Sequence, residues 1–239
     1  MSIERYFRDS PMEWFKEGQY SRFSPYNWNE NRQQALEACA IVHKLCQESP
    51  NPIVGIIGFG FGRETELLFE QGVSAKVVGL DINNSRFKEA RRIRPNLFNG
   101  QLCPVTASMN KIPFADSTFD AVLCLETMMH ADDPSWTLGE LTRITKPDGI
   151  IIFNMSTSLG TVNNLIKMLC TVGLSRVVGR LKERVLRDKD SSSYRTRLYT
   201  REQIGGLVNN NAQTHLEERK SYSRGLSTYI VLRKLAKTG

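Results

Sequence analysis

The 239-residue sequence has no apolar run long enough to cross a bilayer, so we expect no transmembrane helix. Residues 1–10 are charged and aromatic, and they lack the apolar core of a secretion signal. The five cysteines form no C-x-x-C pair, and only three histidines accompany them, so no metal site is expected. We therefore predict a cytoplasmic protein with reduced thiols.

Positive charge is unevenly distributed. The net charge is +7, and residues 176–201 contain nine basic residues against three acidic ones. Such a segment can attract an anionic substrate, RNA or an acidic membrane surface. A solvated helix face explains the same composition, and the sequence has no recognisable RNA-binding module. We therefore do not expect nucleic acid as the principal partner, although this segment keeps that alternative open.

Apolar runs alternate with helical stretches between residues 53 and 153, which predicts a parallel sheet. Because several runs are apolar on both faces, helices must cover both sides of that sheet. Right-handed crossovers then give an α/β, doubly wound, mostly parallel Rossmann-like fold of seven strands. The predicted strands are 53–57, 76–80, 101–106, 119–125, 150–153, 214–222 and 226–233; the predicted helices between them are 63–71, 85–94, 134–145 and 201–209.

Two segments depart from the alternation. Residues 1–48 are predicted as an N-terminal helical lid or cap, with a helix at 29–48, and residues 49–239 as the core. The core has a helical insert at about 157–195, after the fifth strand. The apolar residues that recur at helical spacing in the first helix are Leu36, Ala40, Ile41, Leu45 and Cys46.

The N-terminal segment is rich in aromatic residues. Trp14, Phe15 and Tyr20 are candidates for a lid that closes over a ligand and forms an apolar wall for a substrate. Packing of these rings on the flank of the sheet is an equally good interpretation.

Glycines follow the first predicted strand. Gly58, Gly60 and Gly62 form a G-x-G-x-G pattern between a strand and a helix. Glycines at such a turn allow the backbone to approach a ligand closely. The spacing differs from the G-x-G-x-x-G of dinucleotide-binding folds, and a purely structural turn remains an alternative at this point.

A carboxylate follows the second predicted strand. Asp81 comes 19 residues after Gly62, where a doubly wound fold places an acid against ribose hydroxyls. A carboxylate suits a vicinal diol because it accepts two hydrogen bonds. The alternative is an N-cap for the following helix, which either Asp81 or Asn83 can provide.

Three further stretches make the pattern specific. They are I-P-F-A-D-S-T-F-D at 112–120, H-A-D-D-P at 130–134 and E-L-T-R-I-T-K-P-D-G at 140–149. Together with the glycine loop and Asp81, they resemble the class I S-adenosylmethionine-dependent methyltransferases, in particular the methyltransferase type 11 group. The resemblance covers about residues 50–155, and a weaker similarity occurs at 199–204.

The resemblance implies that the chain binds S-adenosylmethionine. The glycine loop would face the methionine part, Asp81 would hold the ribose, and Ile82 would lie against the adenine. Leu125 and Glu126 would border the transferring methyl group. The residues implied in cofactor binding are Gly58, Phe59, Gly60, Gly62, Asp81, Ile82, Ser108, Met109 and Leu125.

Two positions depart from the family pattern. The family usually has an acid two residues before the first glycine, where this chain has Ile56. It often has Asp at the position of Ser108, whose hydroxyl accepts hydrogen bonds more weakly. The first departure removes an expected polar contact near the amino-acid end of the cofactor.

Methyl transfer needs a base only when the acceptor must lose a proton. His130 is the main candidate, because an unperturbed imidazole titrates near neutrality and this one lies just beyond the strand at 119–125. A histidine that caps or packs before D-D-P at 132–134 is the alternative, and Glu126, at the end of the same strand, is the second candidate. The expected reaction is methylation of an O, N or C nucleophile on a small metabolite, as in natural-product biosynthesis. RNA or lipid-like acceptors, and a cofactor-binding protein that transfers no methyl group, are the alternatives; the oligomeric state is not predicted.

Overall fold

A computed structural model describes residues 25–157, 198–222 and 227–236; for 25–31 and 221–222 it describes the backbone only. The candidate lid residues Trp14, Phe15 and Tyr20 lie outside this description. So do nearly all of the predicted insert and most of the basic segment 176–201.

The described chain forms one seven-stranded sheet with the order β3-β2-β1-β4-β5-β7-β6. The strands are β1 (Ile53–Ile57), β2 (Lys76–Asp81), β3 (Leu102–Thr106), β4 (Phe119–Cys124), β5 (Thr145–Ser156), β6 (Thr214–Tyr222) and β7 (Ser227–Lys234). Strands β1 to β5 are mutually parallel, and β7 runs antiparallel to both β5 and β6. The mostly parallel, doubly wound sheet is therefore confirmed.

Five α-helices are described, and they connect or cover the strands. They are α1 (Pro25–Gln47), α2 (Arg63–Glu70), α3 (Asn84–Ile93), α4 (Pro134–Ile144) and α5 (Arg201–Asn209), with 3₁₀ turns at Pro95–Phe98 and Met128–His130. Thr200 caps α5 through a capping box with Gln203. None of the described helices is long and apolar enough to span a membrane.

Helix α1 packs the predicted apolar residues against the core, with the exception of Ala40, which is exposed. Cys46 is buried, and Leu36, Ile41 and Leu45 are half-buried against the core. The fully buried Ala38 and Cys39 were not predicted, because small residues contribute weakly to an apolar pattern, although close packing favours them. Burial raises the pKa of the Cys39 thiol above its ordinary range, which agrees with an inert buried cysteine.

The core lies on both faces of the sheet. One cluster joins α1, α2 and α3 to one face, and the other joins α4 and α5 to the opposite face. Strand β5 illustrates why, since Ile150, Ile151, Ile152 and Phe153 are all buried at 1% exposure or less. The carboxyl ends of β1, β2 and β4 meet at one edge, beside the point where the chain order reverses between β1 and β4.

Candidate cofactor site

The glycine loop after β1 is shaped by three left-handed residues. Gly58, Gly60 and Gly62 have φ values of 80°, 55° and 83°, which side-chain-bearing residues rarely adopt. A Cβ atom on Gly58 would lie 2.0 Å from Oγ1 of Thr127. A Cβ on Gly60 would meet nothing closer than a backbone oxygen at 4.0 Å. The loop thus packs tightly at Gly58 and is open at Gly60.

Phe59 holds this loop against β2. Its side chain is buried, with its ring centroid 4.9 Å from that of Phe87, and its ring fills the space that a side chain on Gly79 would need. The amides of Gly58 and Phe59 both donate to the carbonyl of Leu80, at 2.8 and 2.9 Å. The Phe59 side chain therefore packs beneath the loop and is not exposed to the open space beside Gly60.

Asp81 lies directly beside the open part of the loop. Its Oδ2 accepts a hydrogen bond from the amide of Gly60 at 2.8 Å, and its Oδ1 accepts one from the amide of Asn83 at 2.9 Å. Arg86 approaches the same carboxylate at 3.7 Å. An ionised carboxylate has about four acceptor positions, so two remain for hydroxyl donors. The N-cap of α3 is Asn83, which leaves Asp81 for another role.

The adenine side of the predicted site lies at the ends of β2 and β3. The amide of Ala107 donates to the carbonyl of Asp81 at 3.0 Å, which brings Ser108 and Met109 next to the β2 end. Ile82, Ser108 and Met109 are half-buried. The Ser108 hydroxyl accepts a hydrogen bond from the amide of Asn110 at 3.0 Å and keeps its own proton for donation.

The segment after β4 lies on the other side of the predicted cofactor site, beside the glycine loop. Leu125 is buried, and Glu126 has a left-handed backbone with φ of 52°. Asn154 of β5 holds Glu126 twice: its Oδ1 accepts from the Glu126 amide at 2.6 Å, and its Nδ2 donates to Glu126 Oε1. The same Nδ2 donates to Oε1 of Gln34 at 2.8 Å. Glu126 is therefore fixed by Asn154 of β5, which is itself held by Gln34 of α1.

Burial raises the pKa of Glu126. The hydrogen bond from Asn154 and the positive charge of Arg63 act in the opposite direction, and the charge of Glu64 adds to the increase. Arg63 and Glu64 begin α2, form an ion pair with each other, and are 22% and 8% exposed. Four charged or amide side chains around Glu126 thus come from three different elements.

His130 ends the 3₁₀ turn that follows Glu126, and its amide donates to the carbonyl of Thr127 at 2.8 Å. Burial lowers the pKa of its imidazole to about 4, and the positive charge of Arg86 contributes to the decrease. The ring is therefore neutral at physiological pH. Arg86 therefore approaches Asp81 and also acts on His130 through its charge.

The structure brings the predicted residues together from three strand ends. Gly60 contacts Asp81, and Thr127, next to Glu126, contacts Gly58. The sequence analysis missed the polar residues Gln34, Arg63, Glu64 and Asn154. Two of them carried a usable signal, because an amide stands on the buried face of α1 and another ends the apolar run of β5.

Known proteins resemble this chain in sequence and fold. A family model for a methyltransferase domain matches residues 56–153. Methyltransferase GfsG of Streptomyces halstedii is 24% identical over 125 residues, which are 50% of this chain and 45% of that protein. The ubiquinone/menaquinone biosynthesis C-methyltransferase UbiE of Desulfotalea psychrophila is 34% identical over 91 residues, 38% of this chain and 35% of that protein. This chain thus matches less than half of the length of either relative.

A solved structure shares the fold over nearly the whole chain. Magnesium protoporphyrin IX methyltransferase from Synechocystis PCC 6803, crystallised with bound S-adenosylhomocysteine, has a TM-score of 0.64 at 16% identity. The likeness covers 97% of this chain and 98% of that chain.

Proposed function

Because residues 56–153 form a methyltransferase domain of the class I, S-adenosylmethionine-dependent type, we propose that the chain methylates an O, N or C nucleophile of a small metabolite. The names of the similar proteins support a small acceptor, since one is a C-methyltransferase of quinone biosynthesis and another acts on a magnesium porphyrin. The acceptor of this chain is a separate proposal, because the matched part covers less than half of each sequence relative.

The observation that carries the proposal is the contact between the glycine loop and Asp81. The amide of Gly60 lies 2.8 Å from the carboxylate, and the space beside Gly60 is open. The ribose hydroxyls of a nucleoside bound there would donate hydrogen bonds to the remaining acceptor positions of Asp81. The base would lie toward Ile82, Ser108 and Met109, which are half-buried at the ends of β2 and β3.

The bound cofactor supplies an activated methyl group on a sulfonium. The chain has to orient the acceptor in line with that methyl group and exclude water. Leu125, buried at the end of β4, supplies an apolar surface at this position. The chemistry requires no metal, and it requires a base only for an acceptor that loses a proton.

We assign the role of that base to His130. Its imidazole is neutral over the physiological pH range because its pKa is lowered to about 4. It can therefore accept a proton from an O–H or N–H group of the acceptor without first losing one itself. Its low pKa makes it a weaker base than an ordinary histidine, because general-base catalysis is most effective when the pKa lies near the operating pH.

The acceptor pocket is proposed to lie beside the end of β5. The amide of Tyr199 donates to the carbonyl of Ser156 at 3.0 Å, and Thr157 pairs with Tyr199 in an isolated bridge. Ser156, Thr157 and Tyr199 therefore lie together at the carboxyl end of β5, two to three positions beyond Asn154, which bonds Glu126. We propose that the acceptor binds at this edge of the sheet.

Incubation with S-adenosylmethionine and a panel of acceptors tests the proposal. The panel holds phenols, amines, quinols, bulk tRNA and phospholipid vesicles, and mass spectrometry detects the gain of one methyl group. We expect methylation of a small-molecule class. Methylation of tRNA or lipid alone would replace the proposed acceptor, whereas cofactor binding without any transfer would contradict methyltransferase activity.

A further inference from the structure

Glu126, which follows the end of β4, has a strained backbone that is held in place by a neighbouring side chain. Its backbone is left-handed, a conformation that is unfavourable for a residue other than glycine. Asn154 compensates for this by bonding both the amide and the carboxylate of Glu126. Strain that the surroundings maintain in this way is characteristic of functional positions.

A chain of hydrogen bonds determines which atom each side chain presents to Glu126. The amide of Glu126 can only donate, so Asn154 must turn its oxygen toward that amide and its nitrogen toward the carboxylate. Gln34 accepts from the same nitrogen and donates to Ser227 Oγ at 2.6 Å. The network consequently presents one donor, Nδ2 of Asn154, to Glu126 Oε1 and leaves Oε2 unused by the residues that the structure describes.

Glu126 forms no ion pair within residues 25–157, 198–222 and 227–236. Arg63 lowers the pKa of Glu126 through its charge, but its guanidinium is paired with Glu64. A half-buried carboxylate without an ion-pair partner is unfavourable, and the net raised pKa of Glu126 is consistent with this. A cationic group of a ligand would remove the penalty.

The position of Glu126 indicates which cation that is. From Asp81 the site continues through Gly60 to Gly58, and Gly58 contacts Thr127, the residue after Glu126. Glu126 thus lies at the far end of the site from the predicted adenine position. In S-adenosylmethionine the amino-acid chain, with its ammonium group, extends from the ribose away from the adenine.

The side chain of Ile56 cannot accept a hydrogen bond from that ammonium group, because it is apolar. Its side chain is 2% exposed and belongs to the apolar core beneath the sheet. The acid expected near the amino-acid end of the cofactor is therefore absent from β1, although β4 delivers one to the same edge.

We propose that the carboxylate of Glu126, held by Asn154, binds the α-ammonium group of S-adenosylmethionine and replaces the acid that is missing at Ile56. The proposal rests on the proposed function, because it requires the same cofactor in the same crevice. Gln34 and Asn154 are positioning residues in this arrangement, since they act through Glu126.

Calorimetry with three ligands tests the proposal. The ligands are S-adenosylhomocysteine, its deamino analogue, which lacks only the ammonium group, and 5′-methylthioadenosine, which lacks the amino-acid end altogether. The proteins are the wild type, Glu126→Gln and the control Glu70→Gln, which removes a carboxylate from an exposed position of α2. We expect Glu126→Gln to weaken S-adenosylhomocysteine binding by about 10- to 100-fold, as for a hydrogen bond to a charged group.

The analogues separate a direct contact from a structural effect. Glu126→Gln should bind the deamino analogue and 5′-methylthioadenosine as the wild type does, and Glu70→Gln should bind all three as the wild type does. Equal weakening for all ligands, or no weakening for S-adenosylhomocysteine, would overturn the role of Glu126. If the variant does not fold, equal affinity of the wild type for S-adenosylhomocysteine and its deamino analogue overturns it instead. Failure of the wild type to bind any of the three would refute the proposed function itself.

Discussion

The amide of Gly60 donates a hydrogen bond to the carboxylate of Asp81 across a distance of 2.8 Å. The two residues come from different strand ends, β1 and β2, and are 21 positions apart in the chain. Their contact joins a turn that is open at Gly60 to an acid with unused acceptor positions. Every functional proposal for this protein depends on that junction.

Removal of the Asp81 carboxylate should weaken cofactor binding. We expect Asp81→Ala to reduce the affinity for S-adenosylhomocysteine by about 1–3 kcal/mol, because buried ribose hydroxyls would lose their acceptor. Isothermal titration calorimetry measures the change. The control is Asp116→Ala, which removes an acid whose side chain is 76% exposed and pairs with Arg143. Unchanged affinity in Asp81→Ala would count against the ribose assignment.

Two glycines of the same loop should respond differently to alanine. Gly58→Ala places a Cβ 2.0 Å from Thr127 Oγ1, so the free energy of unfolding should fall by about 2–4 kcal/mol. Gly60→Ala meets only open space and should cost about 1 kcal/mol for its positive φ.

Ligand binding should be impaired most by the variant that is the less destabilised of the two, Gly60→Ala. Gly60→Ala remains folded, and its new methyl group occupies the space proposed for the cofactor, so S-adenosylhomocysteine binding should be severely weakened. Urea denaturation and calorimetry measure the two effects. A Gly60→Ala protein that binds as the wild type does would move the cofactor away from this loop.

His130 should make stability depend on pH. Its pKa is about 4 in the folded protein against an ordinary value of 6.5, so the unfolded chain takes up a proton first as the pH falls. The free energy of unfolding should therefore decrease between about pH 6.5 and pH 4 because of this group. His130→Gln should flatten that part of the curve, and the control His215→Gln, at an exposed position of β6, should leave it unchanged. Superimposable curves for the wild type and His130→Gln would contradict the buried neutral imidazole.

Arg143 should matter for stability and not for chemistry. It donates to the carbonyls of Phe114 and Ile112 at 2.7 and 3.0 Å, and it pairs with Glu140, which accepts from the amide of Ile112 at 3.0 Å. Arg143→Ala should lower the free energy of unfolding by about 2–4 kcal/mol, because two carbonyls and a carboxylate lose their donor. Arg143→Lys should not restore it, since one ammonium cannot replace the forked guanidinium. Full stability in the lysine variant would refute this explanation.

The Arg143 network also explains why part of the sequence pattern was informative. The stretches at 112–120 and 140–149 resemble a family, yet their polar residues mainly tie the loop after β3 to helix α4. Their spacing reflects the fold, whereas the glycines and Asp81 reflect the site. Both kinds of residue were recognisable from sequence, because each has a strict local geometry.

Other features depend on tertiary contacts that no local pattern encodes. Gln34 and Asn154 are 120 positions apart, and only the packing of α1 against β5 brings them together. The neutrality of His130 results from burial and from Arg86 on another helix. The sequence likewise predicted β5 as 150–153, whereas pairing with β4 and β7 extends it to Thr145–Ser156.

The crystal structure of the protein with S-adenosylhomocysteine tests the central claim most directly. We predict that the ribose hydroxyls donate to Asp81 at about 2.7 Å, with the adenine between Ile82 and Ser108 and the amino-acid chain directed past Gly58. A nucleoside bound elsewhere, with the Gly60–Asp81 crevice empty, would contradict the account.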